Sequence, residues 1–203
     1  MKKSLFLLIL FVILLNPAKF YSQLDREHWF GPMVDRTSNG SQIQRIYLST
    51  NDTTPFNVLI YNNNAVIDTV TISKNNPQYY EISNRNLIIT KSTFNLFKPV
   101  NMGFYLKGEK PFFASLRFSV MNHGEIVTSK GTVGLGTEFR TVMAPITEDN
   151  NILNFMTSVM ASEDNTSVTI SDFSPNIVFS DNIPRTSFTF TLNKGQSYII
   201  DGI

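Results

Sequence analysis

The dominant pattern along the chain is a strict alternation of apolar and polar residues. In the segment "PFFASLRFSV", every second position from Phe112 to Val120 is apolar, while Ser115, Arg117 and Ser119 fall between them. The segments "SVTISD" (167–172) and "TSFTFTLN" (186–193) show the same alternation. A period of two with one polar face is typical of an antiparallel sheet with one solvated side.

Clusters of Asn, Asp and Gly separate these alternating segments at intervals that suit hairpin turns. They divide the chain into about a dozen expected strands, spaced as in all-β domains. No segment after residue 22 sustains a helical apolar stripe. The fold class predicted is all-β, an antiparallel β-sandwich-like arrangement of many short strands. The strands are expected at 43–50, 56–61, 65–73, 78–83, 86–90, 102–107, 111–121, 125–129, 137–143, 154–162, 166–173 and, as a pair, within 186–202.

The first 22 residues have the three-part layout of a secretory signal peptide. Lys2 and Lys3 precede an apolar run of 11 residues, 5–15, and a helix-breaking Asn-Pro pair follows it. That run is shorter than the roughly 20 residues needed to cross a bilayer. We therefore predict cleavage after Ser22, with Ala18 as the competing site, a secreted or outer-surface location, and no transmembrane segment beyond the signal peptide.

The cysteine content and the net charge exclude some kinds of site and make some kinds of partner unexpected. The chain has no cysteine, which excludes disulfides, thiolate metal sites and cysteine nucleophiles. Lys2, Lys3 and Lys19 account for three of the 17 basic residues, so the mature chain carries 14 basic and 16 acidic residues. That balance gives no reason to expect binding to nucleic acid.

The segment "KGTVGLGTEFRT" (130–141) contains three closely spaced glycines, Gly131, Gly134 and Gly136. Neither their spacing nor the position of Lys130 fits a phosphate-binding P-loop, and their order does not fit a dinucleotide fingerprint. We predict a strand-turn-strand joint in which these glycines serve the backbone geometry, and no cofactor.

Candidate metal ligands are few. His28 and His123 are far apart in sequence and fit no ligand spacing. Glu163, Asp164 and Asn165 offer oxygen atoms, but without the alternation of a calcium loop, and a turn at a hairpin end explains them more simply. The sequence predicts no metal site and no catalytic residue.

Trp29 and Phe30 form the one cluster of large aromatic residues that follows the leader directly. Two interpretations are open. They are either an exposed aromatic platform that contacts a ligand, or a plug in which Trp29 closes one end of the sandwich.

Two features bear on domain organisation. Proline, charge and asparagine interrupt the apolar pattern at 144–151, so the mature domain, 23–203, allows a subdivision there. The chain stops inside the apolar strand pattern "SYIIDGI", from which we expect a fragment of a longer protein.

Four segments in order, "REHWFGPM", "SKGTVGLGTEFRTVMAP", "LNFMTSVMASEDNTSVTISD" and "TFTLNKGQSYIIDG", resemble the N-terminal domain of the IgGFc-binding protein family. The resemblance covers about residues 25–203 and is closest to copies in surface proteins of gliding Gram-negative bacteria that use type IX secretion. It implies a β-rich, non-catalytic surface domain, often followed by adhesion repeats and a sorting domain.

The function predicted is a secreted or cell-surface module for adhesion, with a host or neighbouring-cell glycoprotein or glycan as partner. Contacts would come from hairpin loops and an exposed sheet face. The alternatives are a secreted carbohydrate-active hydrolase that uses two carboxylates, and a structural spacer within a larger surface protein.

Overall fold

The computed structural model describes residues 23–36, 42–120, 123–142, 155–174 and 177–202. The predicted signal peptide, 1–22, and the predicted subdivision at 144–151 lie outside these residues. Within them, no helix has the length and apolar character needed to cross a membrane.

The described part of the chain is all-β, which confirms the predicted class. Its helical residues form short 3-10 turns at Arg85–Leu87, Thr93–Asn95 and Gly131–Gly134. All described strand pairs are antiparallel except one short parallel pair, Met33–Val34 with Ile89–Thr90. The strands are β1 (Asp25–Phe30), β2 (Met33–Val34), β3 (Gln44–Ser49), β4 (Phe56–Asn62), β5 (Ala65–Ile72), β6 (Gln78–Ile82), β7 (Ile89–Thr90), β8 (Pro99–Val100), β9 (Phe104–Val120), β10 (His123–Thr128), β11 (Phe155–Met160), β12 (Thr166–Ser171), β13 (Ser187–Leu192) and β14 (Ser197–Gly202).

The largest described sheet has seven strands, and β9, which is 17 residues long, is its central strand. Its first half pairs with β1 and β4, and β5 pairs with β4. Its second half pairs with β3 and β10, and β6 pairs with β3. The sequence predicted two strands, 102–107 and 111–121, where the structure has one continuous strand. The ring of Phe112 fills the side-chain space at Gly108, where a Cβ would lie 2.8 Å from that ring.

The main core lies on the inner face of this curled sheet. Alternate residues of β9 supply much of it, and they are fully buried. Burial of each such Leu or Phe stabilises the fold by roughly 1.5–3 kcal/mol. The fully buried members on β9 are Phe104, Leu106, Phe112, Ala114 and Leu116, and β3 and β4 add Ile46, Leu48, Val58 and Ile60.

A second, smaller lobe contains β8, β11, β12, β13 and β14, while β2 and β7 form a short pair beside the main core. Strand β14 is its centre, with β11 on one edge and β8 on the other, and β12 and β13 form a separate hairpin. Its core is aromatic and includes Phe155, Phe179, Phe188, Phe190 and Tyr198. The rings of Phe190 and Tyr198 stack with their centroids 3.6 Å apart.

Buried ionic contacts lie where the two lobes meet. The carboxylate of Asp201, on β14, is fully buried and is paired with Arg36, which follows β2. Asp35, also buried, lies 3.3 Å from the Lys91 ammonium and 3.9 Å from the Arg85 guanidinium. Buried carboxylates require such partners. The Asp201 pair joins β14 to the segment after β2, and the Asp35 contacts join that segment to the residues on either side of β7.

The strand predicted at 137–143 is not found in its described part, 137–142. Phe139 and Val142 are residue types that favour strands, but the backbone there has no described neighbour to pair with, and both side chains are exposed. Residue type alone therefore predicted a strand that is not formed, and Met143 lies outside the described residues.

Candidate binding surface

An aromatic row crosses the outer face of the first half of the large sheet. In the strand register, Trp29 of β1 lies opposite Tyr105 of β9, and Tyr105 lies opposite Tyr61 of β4. The ring centroids of Trp29 and Tyr105 are 5.2 Å apart, and those of Tyr61 and Tyr105 are also 5.2 Å apart. We call Trp29, Tyr105 and Tyr61 the aromatic row. Trp29 and Tyr61 are half-buried, so both keep part of their rings in contact with solvent.

Tyr105 is the most enclosed member of the aromatic row. Burial raises the pKa of its phenol, and the hydrogen bond and negative charge of Glu27 raise that pKa further. The phenol is therefore neutral at physiological pH. Glu27 is in turn 3.6 Å from the Lys107 ammonium, so a charged pair flanks the row on the same face.

A lysine of the second lobe, Lys194, lies beside the aromatic row. The Lys194 ammonium lies 5.4 Å from the Tyr105 ring centroid. The Lys194 backbone is held on both sides, because its N–H donates to Asp164 Oδ1 at 3.0 Å and its carbonyl accepts from Asn64 Nδ2 at 2.9 Å. The row thus combines rings from three strands with a charge from the β13–β14 turn, an arrangement suited to stacking and hydrogen bonding with a ligand.

The two aromatic residues singled out in the sequence lie on opposite faces of β1. Trp29 belongs to the aromatic row. Phe30 points into the main core and is 2% exposed, so it is not available for surface contact. Side chains alternate between the faces of a strand, and neighbouring residues therefore cannot share a platform. Sequence reasoning missed Tyr61 and Tyr105, which come next to Trp29 only through strand register.

The glycine segment follows β10 as a 3-10 turn, Gly131–Gly134. The N–H of Thr132 donates to Asp25 Oδ2 at 2.7 Å, and the Thr132 hydroxyl donates to the same oxygen. Burial opposes ionisation of Asp25, but these and neighbouring backbone hydrogen bonds together lower its pKa. The backbone donor that an external phosphate would need is therefore engaged by a carboxylate of the protein itself.

The three glycines differ in what their positions require. Gly131 is buried with φ +64°, and a Cβ there would lie 2.3 Å from the Cβ of Asp25. Gly134 and Gly136 are exposed and have no left-handed backbone.

The candidate metal ligands do not converge. His28 is fully buried, and its Nε2 lies 2.8 Å from the Phe112 carbonyl oxygen. Asn165 has φ +55° and lies in the turn that joins β11 to β12, and its N–H donates to Asn193 Oδ1, just after β13. Across the described ranges, no group of three His, Asp or Glu side chains is arranged to hold a metal ion. The side chain of His123 lies outside the described part.

Comparison with known proteins gives one family match. A family model described as "IgGFc binding protein" matches residues 124–202, from β10 to the end of β14. No curated protein and no solved structure matches the chain significantly. The match includes Lys194 and the 3-10 turn, while the aromatic row itself comes from residues that precede it.

Proposed function

We propose that the protein is a non-catalytic binding module, exported and displayed at the cell surface, that adheres to a glycoprotein or glycan of a host or neighbouring cell. The observation that carries the proposal is the aromatic row on the outer sheet face, with the Lys194 ammonium beside it. Half-exposed aromatic rings on a rigid sheet lose little conformational entropy when they bind, and Tyr and Trp are enriched at binding hot spots.

The family match supports a protein partner, because the matching model is named for binding the Fc part of immunoglobulin G. The predicted signal peptide supports export, and the resemblance to type IX-secreted surface proteins supports display at the outer surface. The two buried aspartates, Asp35 and Asp201, are each paired with cations, which fits a structural role better than that of a general acid.

The test is a binding screen with the mature protein. Immobilised immunoglobulin Fc, a mucin glycoprotein and a glycan array would be probed by interferometry or fluorescence. Trp29 is the single tryptophan of the chain, so its emission reports directly on ligand contact at the aromatic row. We expect at least one ligand to bind and to shift that emission.

Two matched variants test whether the ligand contacts the aromatic row. Tyr61→Ser should weaken binding about tenfold or more, because truncation of a hot-spot tyrosine costs about 2 kcal/mol. Phe94→Ser removes an aromatic ring that is 76% exposed and lies outside the aromatic row, and it should bind as the wild type does. Blank screens would favour the structural spacer, and equal losses in both variants would exclude the aromatic row as the site.

A further inference from the structure

A shallow groove lies on the outer face of the other half of the large sheet, formed by β3, the two residues before it and the second half of β9. Its volume is about 380 Å³. It is separate from the aromatic row, which lies on the first half of β9. Its lining residues are Gln42, Ile43, Arg45, Tyr47, Arg117 and Ser119. We call it the arginine groove.

Two arginines face each other across adjacent strands in the arginine groove. Arg45 of β3 is the direct register partner of Arg117 of β9. Like charges in directly opposed positions destabilise a sheet. Arg45 is paired with Glu81, whose carboxylate lies 3.0 Å from Arg45 Nη2.

Arg117 has no such partner. It is exposed, and its side chain makes no ion pair or hydrogen bond with the part of the chain that the structure describes. The positive charge of Arg117 is therefore not balanced by a described carboxylate. At this position, opposite Arg45, a neutral or acidic residue would make the sheet more stable. A conflict between folding and local charge of this kind is expected at functional sites.

The surroundings of Arg117 indicate what it binds. The rings of Tyr47 and Tyr79 are 5.9 Å apart, and Tyr79 is 49% exposed. The Arg45 guanidinium lies over the Tyr79 ring at 4.9 Å, so a planar surface borders the groove. At the other end, the Ser119 hydroxyl donates to Gln42 Oε1, which places a hydroxyl and an amide at the rim.

We propose that the arginine groove binds an acidic carbohydrate, a sugar chain that carries carboxylate or sulfate groups. Tyrosine faces provide stacking surfaces for sugar rings, and hydroxyl and amide groups match sugar hydroxyls. The planar fork of Arg117 donates two parallel hydrogen bonds to a carboxylate or sulfate, and that anion relieves the repulsion between Arg117 and Arg45. This site extends the proposed function to a defined ligand class and is independent of the aromatic row.

The experiment measures binding of the mature protein to three polymers by interferometry. The polymers are dextran sulfate, polygalacturonate and neutral dextran. The salt concentration is about 0.15 M, because exposed charges more than about 8 Å apart are then largely screened and long-range attraction contributes little. We expect at least one acidic polymer to bind and neutral dextran not to bind. The acidic polymer that binds distinguishes sulfate from carboxylate recognition.

Variants locate the binding in the groove. Arg117→Gln should weaken binding to the acidic polymer about tenfold or more, since a charge-assisted hydrogen bond is lost. It should also melt no lower than the wild type, because the opposed like charges are removed. Arg26→Gln makes the same charge change at an exposed position of β1 and should bind within about twofold of the wild type.

Four outcomes would overturn the proposal. They are the absence of binding to both acidic polymers, equal binding of neutral dextran, wild-type affinity in Arg117→Gln, and an equal loss in Arg26→Gln. Tyr61→Ser, which tests the aromatic row, should leave binding to the acidic polymer unchanged, so failure of one site is distinguishable from failure of the other.

Discussion

At the scale of single residues, Gly131 and Asp25 hold the glycine segment in place. Gly131 adopts a left-handed backbone and brings the N–H of Thr132 to the Asp25 carboxylate. This contact joins β1 to the turn after β10. Of the three glycines in the segment, only Gly131 has both a left-handed backbone and a contact that a Cβ would block.

Gly131→Ala should therefore destabilise the protein by about 1–3 kcal/mol, from backbone strain and from the clash with Asp25. Gly134→Ala is the matched control, because its added Cβ would lie 3.1 Å from the Lys130 Cβ in an exposed turn with ordinary φ. Urea denaturation measures both free energies of unfolding. Equal losses would show that the turn needs small residues in general and does not depend on a left-handed backbone at Gly131.

His28 makes stability depend on pH. Burial lowers its pKa below the ordinary value of 6.5, although the hydrogen bond to the Phe112 carbonyl opposes this shift. The unfolded chain therefore binds more protons than the folded chain below about pH 6.5, and stability falls as the pH falls through that value. The free energy of unfolding should therefore be lower at pH 5.5 than at pH 7.5.

His28→Gln keeps a donor for the Phe112 carbonyl but does not titrate, so its free energy of unfolding should vary less over the same pH range. The chain has one other histidine, and His123→Gln is therefore the control that should keep the wild-type dependence. Chemical denaturation at several pH values gives the comparison. If His28→Gln retains the full slope, another group is responsible.

At the scale of strands, the sequence located most of the fold because alternation records which face of a strand is buried. The predicted strands at 43–50, 56–61, 65–73 and 166–173 match β3, β4, β5 and β12 within one or two residues at each end. The short strands β2 and β8 were missed, since two residues carry no periodicity. Strand β1 was also missed, because its two large apolar residues, Trp29 and Phe30, are adjacent and do not alternate.

The binding surfaces were harder to predict than the strands. Trp29 attracted attention as the single tryptophan, but Tyr61 and Tyr105 join it only through pairings between distant strands. The same holds for Arg45 and Arg117, which are opposed only because β3 pairs with the second half of β9. The pairing and register of distant strands depend on how the whole core packs, so a local sequence pattern does not predict them.

The loop before β13 is attached to the second lobe by Arg185. Its guanidinium lies 4.9 Å from the Phe97 ring centroid, 5.3 Å from Phe179 and 5.6 Å from Phe188. It also donates to Asp181 Oδ1 at 2.8 Å. A planar guanidinium can contact several rings and a carboxylate together, whereas an ammonium cannot.

Arg185→Lys should therefore lower the free energy of unfolding by about 1–2 kcal/mol, although the charge is kept. Arg140→Lys is the matched control, because the Arg140 side chain is 92% exposed and should tolerate the change. Thermal denaturation gives the melting temperatures of both variants and of the wild type. A wild-type melting temperature in Arg185→Lys would mean that charge alone holds this loop.

At the scale of the whole molecule, the two lobes share elements. Strand β8 comes from the first part of the chain, yet it pairs with β14 of the second lobe. Phe97 N–H donates to the Ile199 carbonyl at 3.0 Å, and Leu96, Val100 and Met102 pack around Ile199. The region that matches the family model thus lacks one edge of its own central sheet and part of its core.

Residues 124–202 should consequently fail to unfold cooperatively when expressed alone, because β14 would lose β8 and Asp201 would lose Arg36. A complementary fragment, 23–123, carries both missing partners, so mixing the two fragments should restore a cooperative transition by circular dichroism and dispersed amide signals by NMR. Asp201→Ala in the second fragment removes the carboxylate that pairs with Arg36 and should weaken this complementation. A sharp unfolding transition of 124–202 by itself would instead show that the matched region is an autonomous domain, and that the contacts with β8 and Arg36 are added to a fold that is already complete.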